Sequence, residues 1–247
     1  MRANVDSITI SPSDLSGFLG CRYRAALELA AVKNVLRKPT VSDPYAAILA
    51  RHGIEHERRY LESLRSSGNR CVNAKPTDAT TGEESLQLTV EAMRGGADVI
   101  AQARLVGRHM AGHADILRKI NKPSAFGDWS YEAHDTKLTR LTKGGTILQL
   151  SAYSHMLAEM QGMTPAAFYV ITPAETERYL VSDFAAYYRF VLRTLQQELA
   201  KGHDALMANY YPEPVEACQM CAWEVRCEAR RREDDHLSYI AGSSRTH

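Results

Sequence analysis

Three cysteines fall within ten residues near the C-terminus, as Cys218-x-x-Cys221-x-x-x-x-x-Cys227, and two more, Cys21 and Cys71, stand far upstream. No other feature constrains the fold as strongly. A C-x-x-C pair grips one metal or cluster edge, and Cys227 can fold back onto it. Three thiolates need a fourth partner, which has to come from Cys21 or Cys71, and we assign Cys21. Four cysteines suit a zinc ion or an iron–sulfur cluster equally on ligand count, so the spacing leaves that choice open. The plain alternative is three buried thiols in a small C-terminal lobe. Arg226, Arg230, Arg231 and Arg232 flank the cysteines and offer a local phosphate-binding patch or, for some of them, a solvated face.

The 247 residues are ample for a core, and 45% apolar with 24% charged residues excludes disordered and low-complexity classes. The net charge is +1, so a nucleic-acid site has to be a local patch rather than bulk charge. No run of about 18 apolar residues predicts a membrane helix. The N-terminus lacks the apolar stretch of a signal peptide, which predicts a cytoplasmic protein. In that reducing compartment clustered cysteines favour metal ligation over disulfides.

Ser11-Pro12-Ser13-Asp14 opens a helix that carries Leu15, Phe18, Leu19, Tyr23 and Ala26 at helical spacing. Ser42-Asp43-Pro44 opens a second, to about residue 68, and a third fits 82–94. Strands follow over 97–106, 110–120 and 129–138. A strongly amphipathic helix spans about 146–160. Short strands fit 167–171 and 177–181, and a long helix 184–201. From Tyr210 the chain reads as irregular, cysteine-rich and basic. The order predicts an α/β fold with a small mixed central sheet flanked by helices.

Asp115 lies on one predicted strand; Asp135 and Lys137 lie two apart on the next and project to one face. If the strands pair, Asp115 joins them. Two converging carboxylates suit Mg²⁺ or Mn²⁺, and a neighbouring lysine can orient attacking water and offset phosphate charge. The plain alternative is a polar strand face with a surface ion pair. Gln149 and Tyr153 share one face of the next helix, where they can contact a phosphate or a base, or merely edge the core. His56 lies on the second helix after Gly53 and is a candidate ligand, with His52 competing for the role. Beside it, Glu57 reads equally well as a surface charge.

In this order, His56, Asp115, Asp135-x-Lys137 and Gln149-x-x-x-Tyr153 resemble the RecB-like branch of the PD-(D/E)XK nuclease superfamily. The cysteines are similar to the iron–sulfur signature of CRISPR-associated and AddB-type nucleases in that branch. The resemblance implies a restriction-endonuclease-like core over about 42–205. It implies cluster-binding segments at about 11–30 and 210–235, within one nuclease domain over 1–247. His56, Asp115, Asp135 and the carbonyl of Thr136 would hold Mg²⁺ or Mn²⁺. Lys137 would help activate water, and Gln149 and Tyr153 would position DNA or brace the site. Cys21, Cys218, Cys221 and Cys227 would bind a [4Fe-4S] cluster that clasps the two ends of the chain, with Cys71 left free.

The implied activity is a metal-dependent deoxyribonuclease, acting as an exonuclease on single strands or ends. Asp234-Asp235-His236-Leu237 is similar to a segment found in a bacterial group of RecB-like nucleases. There an RNase H-like region follows, so the chain is expected to be a piece of a longer protein. Two other readings stay open: a non-catalytic DNA-binding module with a structural metal, and a zinc-stapled interaction domain.

Overall fold

The computed structural model describes residues 1–3, 8–40, 44–139 and 141–240. The expected helix start at Ser42 and Asp43 and the tail from residue 241 lie outside them. A short antiparallel pair comes first, β1 (Arg2–Ala3) with β2 (Ile8–Thr9). Next come α1 (Pro12–Gly20) and α2 (Arg22–Val32), then α3 (Pro44–Ser66), β3 (Cys71–Asn73) and α4 (Gly82–Arg94). The central strands are β4 (Val99–Val106), β5 (Ala111–Ile120) and β6 (Ser130–Thr136). Beyond them run α5 (Gly144–Gln161), β7 (Ala167–Ile171), β8 (Thr176–Leu180), α6 (Val181–Ala200), α7 (His203–Asn209) and α8 (Glu224–Glu233).

Six strands form one mixed sheet in the order β3-β4-β5-β6-β7-β8. The β3–β4 and β6–β7 pairs are parallel and the rest antiparallel. A parallel neighbour needs a crossover, and α4 and α5 supply the two. This is the restriction-endonuclease-like α/β arrangement. The main core gathers Met93 of α4, Leu105, Leu117 and Tyr131 of the sheet, Leu157 of α5 and Leu195 of α6. A smaller cluster joins Leu64 of α3 to Val99 and Ile116.

Three expectations need correction. The predicted first helix is two helices. At Cys21 the backbone is extended (φ −162°, ψ 110°), and its sulfur accepts the Arg24 N–H as the cap of α2. Secondly, α5 is not amphipathic: α1 and α6 pack on it as well as the sheet, so Leu148, Leu150, Tyr153, Ser154, Met156 and Leu157 are all buried. Thirdly, the segment from Tyr210 is not irregular throughout, because α8 occupies ten of its residues. The short strand β3 has only three residues and no alternation to mark it.

Gln102, inside β4, has φ +52°, a left-handed backbone that a residue with a side chain seldom adopts. The register keeps step on either side, with Ala101 opposite Ile116 and Ala103 opposite Ala114, so Gln102 faces Asp115. The main core takes Ile100 and Ala103 from β4, and Ala114 and Leu117 from β5. Those residues are three apart rather than an even number, so the pleat alternation shifts at Gln102 and Asp115.

Candidate active site

The β5–β6 register ends with Ile116 opposite His134, and one step further sets Asp115 beside Asp135. Asp135 is buried, and its Oδ2 meets the Lys137 ammonium at 2.6 Å. That oxygen accepts no hydrogen bond of regular geometry among the described residues. Burial, then the adjacent Asp135 carboxylate, holds the Asp115 carboxyl well above the usual carboxylate range, while Lys137 pulls against them. Lys137 is fixed through its backbone, whose N–H donates to the Ile171 carbonyl of β7 at 2.9 Å.

On the same carbonyl, the Nε2 of His56 approaches to 3.3 Å. His56 is half-buried on α3, whereas His52 is exposed, so the helix turns only His56 toward the sheet. Glu57 comes with it. Gln102 Nε2 donates to Glu57 Oε1 at 2.7 Å. Burial raises the Glu57 carboxyl above its ordinary value, the Gln102 bond opposes that, and the field of Asp135 adds to it. Glu57 is therefore a third carboxylate at this site rather than a surface charge. Its signal in the sequence was adjacency to His56; Gln102 carried none, because its importance lies in its backbone and its register.

The helix α5 closes the other side. Gln149 Nε2 donates to the Tyr153 hydroxyl at 3.1 Å, and that hydroxyl donates to the His113 carbonyl at 2.6 Å. Burial raises the Tyr153 phenol, and Asp115 and Asp135 add to the rise. The tyrosine thus grips β5 two residues before Asp115. Gly112 makes this close approach possible: a Cβ there would lie 2.8 Å from Pro12 Cδ and 3.1 Å from Tyr153 Cε1.

The donor set suits a hard divalent cation. Asp115, Asp135 and Glu57 could offer oxygen ligands, and Asp115 resists ionising beside Asp135. No three His, Cys, Asp or Glu side chains among the described residues already close around a common metal position. The family model of the PD-(D/E)XK nuclease superfamily matches residues 25–228. The chain belongs to that superfamily. A search of curated proteins finds no match. Membership implies a nuclease that uses a divalent metal on DNA, and the matched span holds every residue of the acidic site just described. No helix among the described residues is long and apolar enough to cross a membrane.

In this nuclease four of the cysteines meet at a second cavity, away from the acidic site. Cys21, Cys218, Cys221 and Cys227 all line one cavity of about 260 Å³ between the start of α2 and the C-terminal segment. All are free thiols. Burial, then the neighbouring Cys221 and Cys21 sulfurs, pushes the Cys227 thiol up to about 12. Backbone N–H groups of Arg24 and Val215 donate to Cys21 and Cys218 at 3.4 Å each. Such bonds and four thiols lining one cavity are the donor chemistry of a thiolate-bound metal or cluster, and among the described residues no three of them already close around a common position. Cys71 lies elsewhere, packed on the Leu64, Val99 and Ile116 cluster.

The predicted arginine patch is largely consumed. Arg230 pairs with Asp234, Arg232 with Glu228, and Arg231 is buried against Glu224 and the Pro212 carbonyl.

Proposed function

We propose that this nuclease is a deoxyribonuclease that degrades DNA as an exonuclease from single-stranded regions or ends, with a [4Fe-4S] cluster on its four clustered cysteines. The adjacency of Asp115 and Asp135, with Lys137 on Asp135, carries the catalytic part of this reading. Asp115, Asp135, the Thr136 carbonyl and His56 would hold Mg²⁺ or Mn²⁺, with Glu57 beside them. The bound metal would supply charge stabilisation at the phosphate and at the leaving oxygen.

The chain's own residues do the rest. The Lys137 ammonium stands where it can orient a water for attack on phosphorus, and its charge offsets that of the phosphate. The backbone bond to Ile171 keeps the stem of Lys137 from swinging away. Gln149 and Tyr153 brace β5 through the His113 carbonyl, so the Asp115 backbone does not shift when a strand binds. Glu57, tied to Gln102, adds negative charge that favours cation binding.

The sulfur part rests on one cavity lined by Cys21, Cys218, Cys221 and Cys227. Zinc would satisfy the same thiols, and metal analysis separates the two. Anaerobically purified protein should be brown, with iron and acid-labile sulfide; a colourless protein with zinc alone would replace the cluster by zinc.

The activity test is cleavage of end-labelled single- and double-stranded DNA with Mn²⁺, Mg²⁺ or EDTA, beside Asp135→Asn. Stepwise shortening from an end that needs the metal and vanishes in the variant is expected. Internal cuts would overturn the exonuclease reading. Metal-independent cutting, or equal cutting by Asp135→Asn, would overturn the assignment of the site.

A further inference from the structure

A second polar cavity, of about 270 Å³, opens beside the acidic site. Arg2, Ser11, Arg104, His113, Gln149 and Tyr153 are among the residues that line it. Arg104 and His113 sit directly opposite each other on β4 and β5. Both are two residues along their strands from the Gln102 and Asp115 pair, a displacement of about 7 Å. The cavity is thus a direct continuation of the cleavage site along one strand ladder, and Tyr153 borders both.

Its charge is uncompensated. Among the described residues no carboxylate pairs with Arg2 or Arg104, and no hydrogen bond engages the Arg104 guanidinium; burial, then Arg104, Lys75 and Arg2, pushes the His113 imidazole down to about 4, so it lines the cavity as a neutral ring. Arg104 is half-buried, and its strongest charged neighbour is another cation, Arg2. The nearby Asp14 is already spent on the Met1 ammonium at 2.6 Å and on the Ser11 N–H at 2.8 Å. Lys75 adds positive potential from the loop after β3. A half-buried arginine without a counter-charge costs stability unless an anion supplies it.

We propose that this cavity is a phosphate subsite, in which Arg104, with Arg2 and His113, takes the phosphate next to the scissile one on the bound DNA strand. It rests on the deoxyribonuclease reading and adds to it the direction in which the strand leaves the acidic site. A planar guanidinium matches two phosphate oxygens, and the low exposure of Arg104 strengthens that bond. The phosphate is either an internal diester or a terminal monoester, and the two sources predict different binding patterns.

The test is fluorescence anisotropy in EDTA, where binding proceeds without cleavage. The probes are short single-stranded DNA carrying a 5′-phosphate, a 3′-phosphate or neither. Arg104→Gln is expected to weaken binding about 10-fold or more, and to reduce the slope of log K against log salt by about 0.7. Arg104→Lys should recover part of the affinity, and circular dichroism of both variants shows that they fold. Equal losses for all three probes assign the site to an internal diester. A wild-type preference for one phosphorylated end that vanishes in Arg104→Gln assigns it to a terminal monoester.

Unchanged affinity and salt slope in folded Arg104→Gln would overturn the subsite, as would a folded wild-type protein that binds none of the probes. The two readings fail separately. Arg104-dependent binding without cleavage in any metal leaves the subsite standing and removes the nuclease activity. Metal-dependent cleavage with Arg104-independent binding does the reverse.

Discussion

Asp115 and Asp135 come from two neighbouring strands in the middle of the sheet, with Lys137 just past the end of the second, whereas Cys21 and Cys227 stand near opposite ends of the chain. The acidic site is placed by ladder hydrogen bonds and by a core that packs on both faces of the sheet. Its strand register is set before any ligand arrives. The cysteine cavity is placed by the cap of α2, a short 3-10 turn over Glu216–Met220 and the first turns of α8, around a small cluster of Leu27, Trp223 and Cys227. There a bound group would have to supply much of the hold. The first region spends stability to concentrate charge; the second would gain stability by being filled. Removing a ligand should therefore leave the fold standing in the first place and loosen it in the second.

The sharpest test of that division is Lys137→Ala. Cleavage is expected to fall by about 10²–10⁴-fold, the range for loss of a positioned proton-handling group. The melting temperature should fall by only a few degrees, from the counter-charge that buried Asp135 loses, and the iron content should stay as it was. A variant that unfolds or loses iron would show that the two regions are not separate.

Cys227→Ser probes the other side. A cluster that joins Cys21 to Cys227 closes a loop of roughly 200 residues, worth up to about 5 kcal/mol in the chain-entropy account of a cross-link. Calorimetry of anaerobic protein should therefore show a melting temperature lower by about 10 °C. Cleavage per folded molecule well below that temperature should be retained. An unchanged melting temperature would mean that the cysteines do not staple the fold.

Gly112→Ala tests whether the acidic site is preformed. The added methyl meets Pro12 and Tyr153 at distances that require movement. The expected cost is about 1–3 kcal/mol in denaturant unfolding, with lower cleavage as Tyr153 shifts from the His113 carbonyl. A neutral result would mean that β5 yields easily there.

The smallest effect concerns Asp115, and its sign is the informative part. Its carboxyl is held above the value it has in the unfolded chain. Above about pH 4 the unfolded chain gives up this proton more readily, so the group lowers stability as pH rises toward its folded value. In EDTA at neutral pH, Asp115→Asn should raise stability by about 1 kcal/mol and flatten that decline. Adding Mg²⁺ should stabilise the wild type and leave the variant nearly unmoved. Destabilisation by Asp115→Asn would contradict the view that this region stores unfavourable charge.

The same contrast separates what could be read from the sequence from what could not. The strands with Asp115 and with Asp135 and Lys137 are local patterns, and the spacing of two placed the last pair on one face. Strand pairing then brought Asp115 alongside, by a register that the surrounding apolar residues fix. The helix over Gly82–Arg94 was legible to its ends, because Thr81 and Glu84 form a capping box. Other features depend on partners distant in the chain. The apolar spacing through Leu19 and Tyr23 continues across Cys21, so nothing periodic marks the break. The burial of α5 on most of its faces required knowing that α1 and α6 cover it. Glu57 became a site residue only through Gln102, forty-five positions away, and the left-handed backbone of Gln102 has no signature in its residue type.

The Ile171 carbonyl is shared: it accepts the Lys137 N–H and faces the His56 ring nitrogen. For hydrogen exchange this makes one amide a clock. The Lys137 N–H can trade its proton with solvent only when the end of β6 parts from β7, and α3 is docked on the same oxygen. Its protection should then report the joint release of helix and strand end, and not the fraying of either alone. A strand of DNA that presses α3 onto the sheet would lengthen that clock at a residue it need not touch.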